Sequence, residues 1–274
     1  MRATREDPQS TPTLPERLHS LRHGFSLWLS ERLRRTRGVH RETPAHALPA
    51  LAAAETAAIE ALRRRYGAEC ERHRGATTAL RSYEYLDILH RAFAQAGVDP
   101  PTGGALCDVG SANFWYARAL SAFFRPTSVL GVEVEGYRRY KDGRSRHDYA
   151  AGYLADLPAA RFEIADYTRH TEPADLITAW FPFVSTAAIL AWRLPLGLLQ
   201  PAALFGRVRA NLTPRGAFLM VNHGEAEART ARALCDAAGL GLRFIGPVST
   251  PLAAHRARRP VVSLWCRDRP GPAG

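Results

Sequence analysis

The chain has 274 residues, 46% hydrophobic and 23% charged, enough apolar material for one large α/β domain or a domain with an appendage. No run approaches the roughly 20 apolar residues of a transmembrane helix, and residues 1–10 lack the apolar stretch of a secretory signal, so a soluble, cytoplasmic protein is expected. The formal charge of +11 is carried by arginine, Lys141 being the single lysine; the skew resembles GC-rich coding bias, and nucleic acid is a permitted partner but not the favoured one.

Leu14, Leu18, Leu21, Phe25 and Trp28 follow a 4-3-4-3 spacing, which predicts a helix ending near Gly38, with this stripe packed on its own domain in preference to a partner or membrane surface. Residues 37–49 read as a linker and residues 50–74, rich in Ala, Glu, Leu and Arg, as a helix. Ser82 is positioned to cap a third helix to about Ala96, burying Tyr85, Ile88, Leu89, Ala92 and Phe93. From residue 105 the rhythm changes to alternating strands and helices. Strands are expected at 105–109, 128–134, 161–165, 174–180, 217–222, 242–248 and 260–267, with helices at 113–124, 137–157, 201–212 and 225–238. The turn Thr213-Pro214-Arg215-Gly216 precedes the fifth strand. This pattern argues for an α/β, Rossmann-like, doubly wound, mostly parallel seven-stranded sheet with an antiparallel C-terminal edge, preceded by a helical segment. The expected organisation is an N-terminal helix and partly disordered linker (1–49), a helical cap (50–100), the Rossmann-like domain (101–268) and a loose tail (269–274).

Metal binding is not expected. Cys70, Cys107, Cys235 and Cys266 are far apart, and His19 and His23 share a helix face without the glutamate of H-E-x-x-H, Ser20 standing there.

In a parallel sheet, ligands bind beyond the carboxyl ends of the strands, so the residues following each strand carry the information. After the first strand come Asp108, Val109, Gly110, Ser111, Ala112 and Asn113, where a glycine turn and small residues let a ligand approach the backbone. Glu133 ends the second strand, an acid suited to a ribose diol. Asp166 and Tyr167 follow the third. Together these resemble the class I S-adenosylmethionine-dependent methyltransferases. The family's first motif, acid-x-Gly-x-Gly, is met by Asp108 and Gly110, with Ala112 replacing the second glycine. The resemblance implies S-adenosyl-L-methionine as cofactor, with Glu133 on the ribose hydroxyls and Asp166 on the adenine amino group. It extends to the fourth-strand stretch 175–180, including Thr178, to the turn 212–216 and to the two-strand ending. It covers about residues 104–267.

A nicotinamide enzyme is the competing Rossmann reading, since Tyr137 and Lys141 have the Y-x-x-x-K spacing of short-chain dehydrogenases. That tyrosine follows the second strand too closely, and Trp115 stands where the third glycine of G-x-G-x-x-G belongs. Trp180, Phe181 and Pro182, with Phe183, follow the fourth strand and form a candidate substrate wall. They lack the leading Asn or Asp of the amino-group methyltransferase signature. His223, after the fifth strand, is the candidate base, with a pKa naturally near neutrality. Residues 185–200 form an insertion suited to a substrate lid. The expected function is methyl transfer to a small-molecule acceptor, the alternatives being a non-catalytic scaffold or an RNA methyltransferase.

Overall fold

The computed structural model describes residues 11–33, 48, 50–71, 75–253 and 259–268. The expected linker, apart from Leu48, and the tail lie outside these residues. Among the described residues three helices precede the sheet: α1 (Leu14–Arg32), α2 (Ala53–Tyr66) and α3 (Ala76–Ala96). The α/β part follows as β1 (Ala105–Val109), α4 (Ala117–Phe124), β2 (Ser128–Val132), α5 (Arg146–Leu154), β3 (Ala160–Glu163) and β4 (Ala174–Trp180). The chain closes with α6 (Thr186–Ala191), α7 (Pro201–Asn211), β5 (Leu212–Asn222), α8 (Glu225–Ala237), β6 (Gly241–Pro247) and β7 (Val261–Cys266).

The strand order is β3-β2-β1-β4-β5-β7-β6, with β1 to β5 parallel and β7 entering antiparallel between β5 and β6. Strand order therefore reverses between β1 and β4, which opens a crevice at their carboxyl ends. Strand alternation divides the core into two faces. Leu219 and Val221 of β5 join α2, α3 and α4 on one face, while Phe218 and Met220 join Phe205 and Val208 of α7 on the other.

Local chemistry explains most boundaries. The Glu16 carboxylate accepts from the Thr13 N–H (2.7 Å) and hydroxyl (2.8 Å), closing the start of α1. Gly67 and Gly97 end α2 and α3 in the left-handed conformation. Four expectations shift. The third helix begins at Ala76, so Ser82 is buried within it instead of capping it. The helix expected from Asn113 begins at Ala117, after a loop that supplies part of the site. Most important, residues 137–145 are not helical. Gly143 (φ 79°) turns the chain, the Tyr140 N–H donates to the Arg144 carbonyl (2.8 Å), and Arg139 bridges Ser145. Ser145 and Asp148 then form a reciprocal capping box that starts α5. Finally, the expected turn at 213–216 lies within β5 as an irregularity between the pairs Ala174↔Leu212 and Leu176↔Ala217.

Two expectations about the N-terminal helices are corrected. Tyr83, Leu86, Ile88, Leu89 and Ala92 of α3 are fully buried in one cluster with Leu106, Leu120 and Leu176, so residues 76–96 belong to the core and not to a separate cap. Helix α1 docks with the opposite face from the one expected. Ser20, His23, Gly24 and Leu27 are half-buried, and the Leu196 N–H donates to the Ser20 hydroxyl (2.8 Å), while the stripe from Leu14 to Trp28 is 48–72% exposed. No helix among the described residues is long and apolar enough to cross a membrane.

Candidate functional site

The loop after β1 is held against β2. The Gly110 and Ser111 N–H groups both donate to the Val132 carbonyl (2.9 and 3.2 Å). Gly110 (φ 71°), Ala112 (φ 53°) and Phe114 (φ 55°) are all left-handed, a conformation that costs a residue with a side chain about 1 kcal/mol or more. Two features stabilise it. The Ala112 N–H donates to Glu133 Oε2 (2.7 Å), and the buried Phe114 ring lies on Gly131, where a Cβ would approach to within 2.6 Å. Gly131 is thus required by close approach, and Ala112 occupies a backbone position that favours the glycine of the motif it resembles.

Asp108 is fully buried. Its carboxylate accepts from the Tyr116 hydroxyl (2.6 Å) and from Thr178 Oγ1 (2.5 Å), Thr178 being its neighbour across β4. Burial pushes the Asp108 carboxyl up to about 7, against the lowering effect of the two hydroxyl donors. Asp108, Ser111, Asn113 and Thr178, expected among the cofactor contacts, are buried behind the residues that line the cavity. Ser111 is fully buried, with its hydroxyl unpartnered beside Gly131, and Asn113 is also buried.

Glu133 lies at the rim with both oxygens engaged. Oε1 accepts from the Glu135 N–H (2.8 Å) and pairs with Arg146 Nη1 (3.1 Å), and Oε2 holds the loop at Ala112. Arg146 also reaches Glu135 (3.3 Å), lies over the Trp192 ring (5.5 Å) and keeps a buried Nε without a partner. Asp166, following β3, accepts at Oδ1 from the Thr168 N–H (2.9 Å) and hydroxyl (2.8 Å), and Oδ2 has no hydrogen bond among the described residues. Tyr167 beside it is buried, which pushes its phenol pKa up.

The opposite wall is aromatic. Trp180 stacks on Tyr85 of α3 (centroids 3.8 Å, 16°) and tilts against Tyr116 (5.8 Å). Phe181 turns the chain in a left-handed conformation (φ 57°), its N–H donating to the Val221 carbonyl (2.7 Å). Its ring lies flat on His223 (4.0 Å, 7°), whose backbone N–H donates to Glu227 Oε2 (3.0 Å). Trp192, Leu194, Leu198 and Leu204 complete a cavity of about 440 Å³, a volume typical of small-molecule sites.

Of the residues read from sequence, Gly110, Ala112, Glu133, Asp166, Tyr167, Trp180, Phe181, Pro182 and His223 meet around this one cavity. Sequence reasoning missed Tyr85, Tyr116, Arg146 and Trp192. Tyr85 was legible only as a buried helix position, and Arg146 was hidden inside a helix expected to start nine residues earlier.

No protein-family model matches the chain, and no curated protein matches its sequence. Solved structures do match its shape. A candidate methyltransferase of Haloferax volcanii, solved with the methyltransferase activator Trm112, superposes with a TM-score of 0.50 at 13% identity, covering 69% of this chain and 94% of that one. The chain has the class I methyltransferase fold. An S-adenosylmethionine-dependent methyltransferase of Aquifex aeolicus (TM-score 0.47, 13% identity, 64% and 87% coverage) also resembles it. So does a TehB-like methyltransferase of Corynebacterium glutamicum (0.42, 17%, 68% and 97%). In this methyltransferase fold the cavity occupies the crevice at the β1/β4 reversal.

Proposed function

We propose that the chain is an S-adenosylmethionine-dependent methyltransferase acting on a small-molecule acceptor. The observation that carries this reading is the convergence of Glu133 and Asp166, from the ends of β2 and β3, on a single crevice opposite an aromatic wall. The residues fit the cofactor. At Gly110 a Cβ would meet nothing within 4 Å, so the backbone there is open to approach, and Asp166 retains one uncommitted carboxylate oxygen for the adenine amino group. Glu133 faces the ribose end already oriented by Arg146 and two backbone N–H groups. When bound, the sulfonium supplies an electrophilic methyl group. The chain's own contribution is positioning in a largely apolar crevice. Trp180, Phe181 and Pro182 form the surface against which a flat or apolar acceptor rests, and His223, stacked on Phe181 at the same wall, takes the proton from an acceptor that must lose one.

Calorimetric titration with S-adenosylhomocysteine tests this reading. The parent chain should bind, and Asp166→Asn should weaken binding about tenfold or more, the usual effect of losing a hydrogen bond to a charged group. Absence of binding by the folded parent would refute the assignment.

A further inference from the structure

A second cavity, of about 710 Å³, lies between α1 and the segment 135–148, beside the first. Its charge is one-sided. Arg22 from α1, Arg138 and Arg139 from the loop after β2, and Arg193 after α6 line it, against the carboxylates Glu135 and Asp148. Both carboxylates are already committed. Asp148 closes the capping box of α5, and Glu135 is shared between Arg138 and Arg146. Arg138 is also satisfied, since it donates to the Trp192 carbonyl (2.7 Å) as well. Arg22, Arg139 and Arg193 form no ion pair among the described residues, and all three are exposed at the cavity. His23 stands among them, and its pKa is lowered by desolvation and by the surrounding charges of His19, Arg22, Arg193 and Arg138.

Three further observations bear on a ligand. Helix α1 presents Arg22, His23, Ser26 and Ser30 to this cavity beside Leu27, Leu29 and Leu33, and leaves the stripe from Leu14 to Trp28 outside. Arg146, with its side chain only 6% exposed and its Nε unpartnered, sits at the wall between the two cavities: it lines the first, while its neighbour Ser145 lines the second. In the same way Trp192 lines the first and Arg193 the second. The two spaces are therefore adjacent along two separate segments.

We propose that the arginine-lined cavity is an anion subsite that holds a phosphate group of the acceptor while its reacting atom enters the neighbouring crevice. This rests on the methyltransferase reading for its purpose, though not for its binding chemistry. With Glu135 and Asp148 already engaged, the guanidinium groups of Arg22, Arg139 and Arg193 have no carboxylate at the cavity left to neutralise them. A phosphate monoester carries about −1.5 to −2 charge at pH 7 and three acceptor oxygens, which guanidinium forks engage in pairs. The phosphate comes from a small phosphorylated molecule or from a nucleic-acid backbone, and the test separates the two sources.

The full chain is titrated with inorganic pyrophosphate and, separately, with a ten-nucleotide single-stranded RNA, each with and without saturating S-adenosylhomocysteine. Pyrophosphate should bind the parent, and Arg139→Gln and Arg193→Gln should each weaken it about tenfold while leaving S-adenosylhomocysteine affinity unchanged. Both arginines are exposed, so the variants should fold, and circular dichroism verifies this. RNA binding with the same arginine dependence but without pyrophosphate binding assigns the phosphate to a nucleic acid. Arginine-dependent pyrophosphate binding by a chain that ignores S-adenosylhomocysteine would uphold the subsite and sink the methyltransferase reading. Failure of both probes, or binding indifferent to both substitutions, overturns the proposal.

Discussion

Asp108 lies on the face of β1 turned toward α3 and α4, where water does not reach it. With a carboxyl pKa near 7 in the fold against about 3.8 in the free side chain, the folded chain retains a proton that the unfolded chain releases between about pH 4 and 7. Unfolding free energy should therefore fall as pH rises through that window and level off above it, by at most about 1.4 kcal/mol per pH unit from this group. Asp108→Asn should remove that component of the slope. Urea denaturation of parent and variant at pH 5 and pH 8 measures it, and an identical pH 5 to pH 8 difference in the two proteins would mean that Asp108 is ionised throughout. The same residue marks a limit of sequence reading. Glu133 and Asp166 were legible because they follow strand ends, where side chains reach the crevice. Asp108 is one position too early, and its partner Thr178 lies seventy residues away, so nothing local announced that both oxygens would be engaged.

For folding, α1 is dispensable and α3 is not. Leu89 is fully buried among the residues that cover the sheet, so Leu89→Ala should cost about 2–5 kcal/mol in chemical denaturation. Deletion of residues 1–47, which removes α1, should leave cooperative unfolding and S-adenosylhomocysteine affinity intact, because no α1 residue is buried and none lines the crevice. A deleted chain that no longer unfolds cooperatively would show that α1 supports the core. The strands were readable in order, and α7 and α8 nearly to the residue, because apolar runs and turn residues mark them. The start of α5 was not. Residues 137–145 have helix-compatible composition, and only the Gly143 turn and the Ser145 cap, which act through backbone geometry, exclude them from it. The inward face of α1 was misread for a different reason: a 4-3 apolar spacing gives a helix and its stripe, but not which side meets the fold.

For the molecule as a whole, Glu133 and Arg146 line the first cavity and Glu135 lines the second, so one buried ion-pair network borders both. Among the described residues Arg22, Arg139 and Arg193 at the second cavity and Arg81 at the crevice form no ion pair, while Arg63, Arg91 and Arg161 are paired with acids. The aromatic wall has an optical consequence. Three of the five tryptophans, Trp115, Trp180 and Trp192, border the crevice, while Trp265 is in the core and Trp28 lies on the outer side of α1. Indole emission should therefore report ligand entry directly, with S-adenosylhomocysteine lowering the intensity of the parent and Trp180→Phe losing most of that response while Trp28→Phe keeps it. Emission that stays constant during a titration in which calorimetry registers binding would place the ligand away from these indoles.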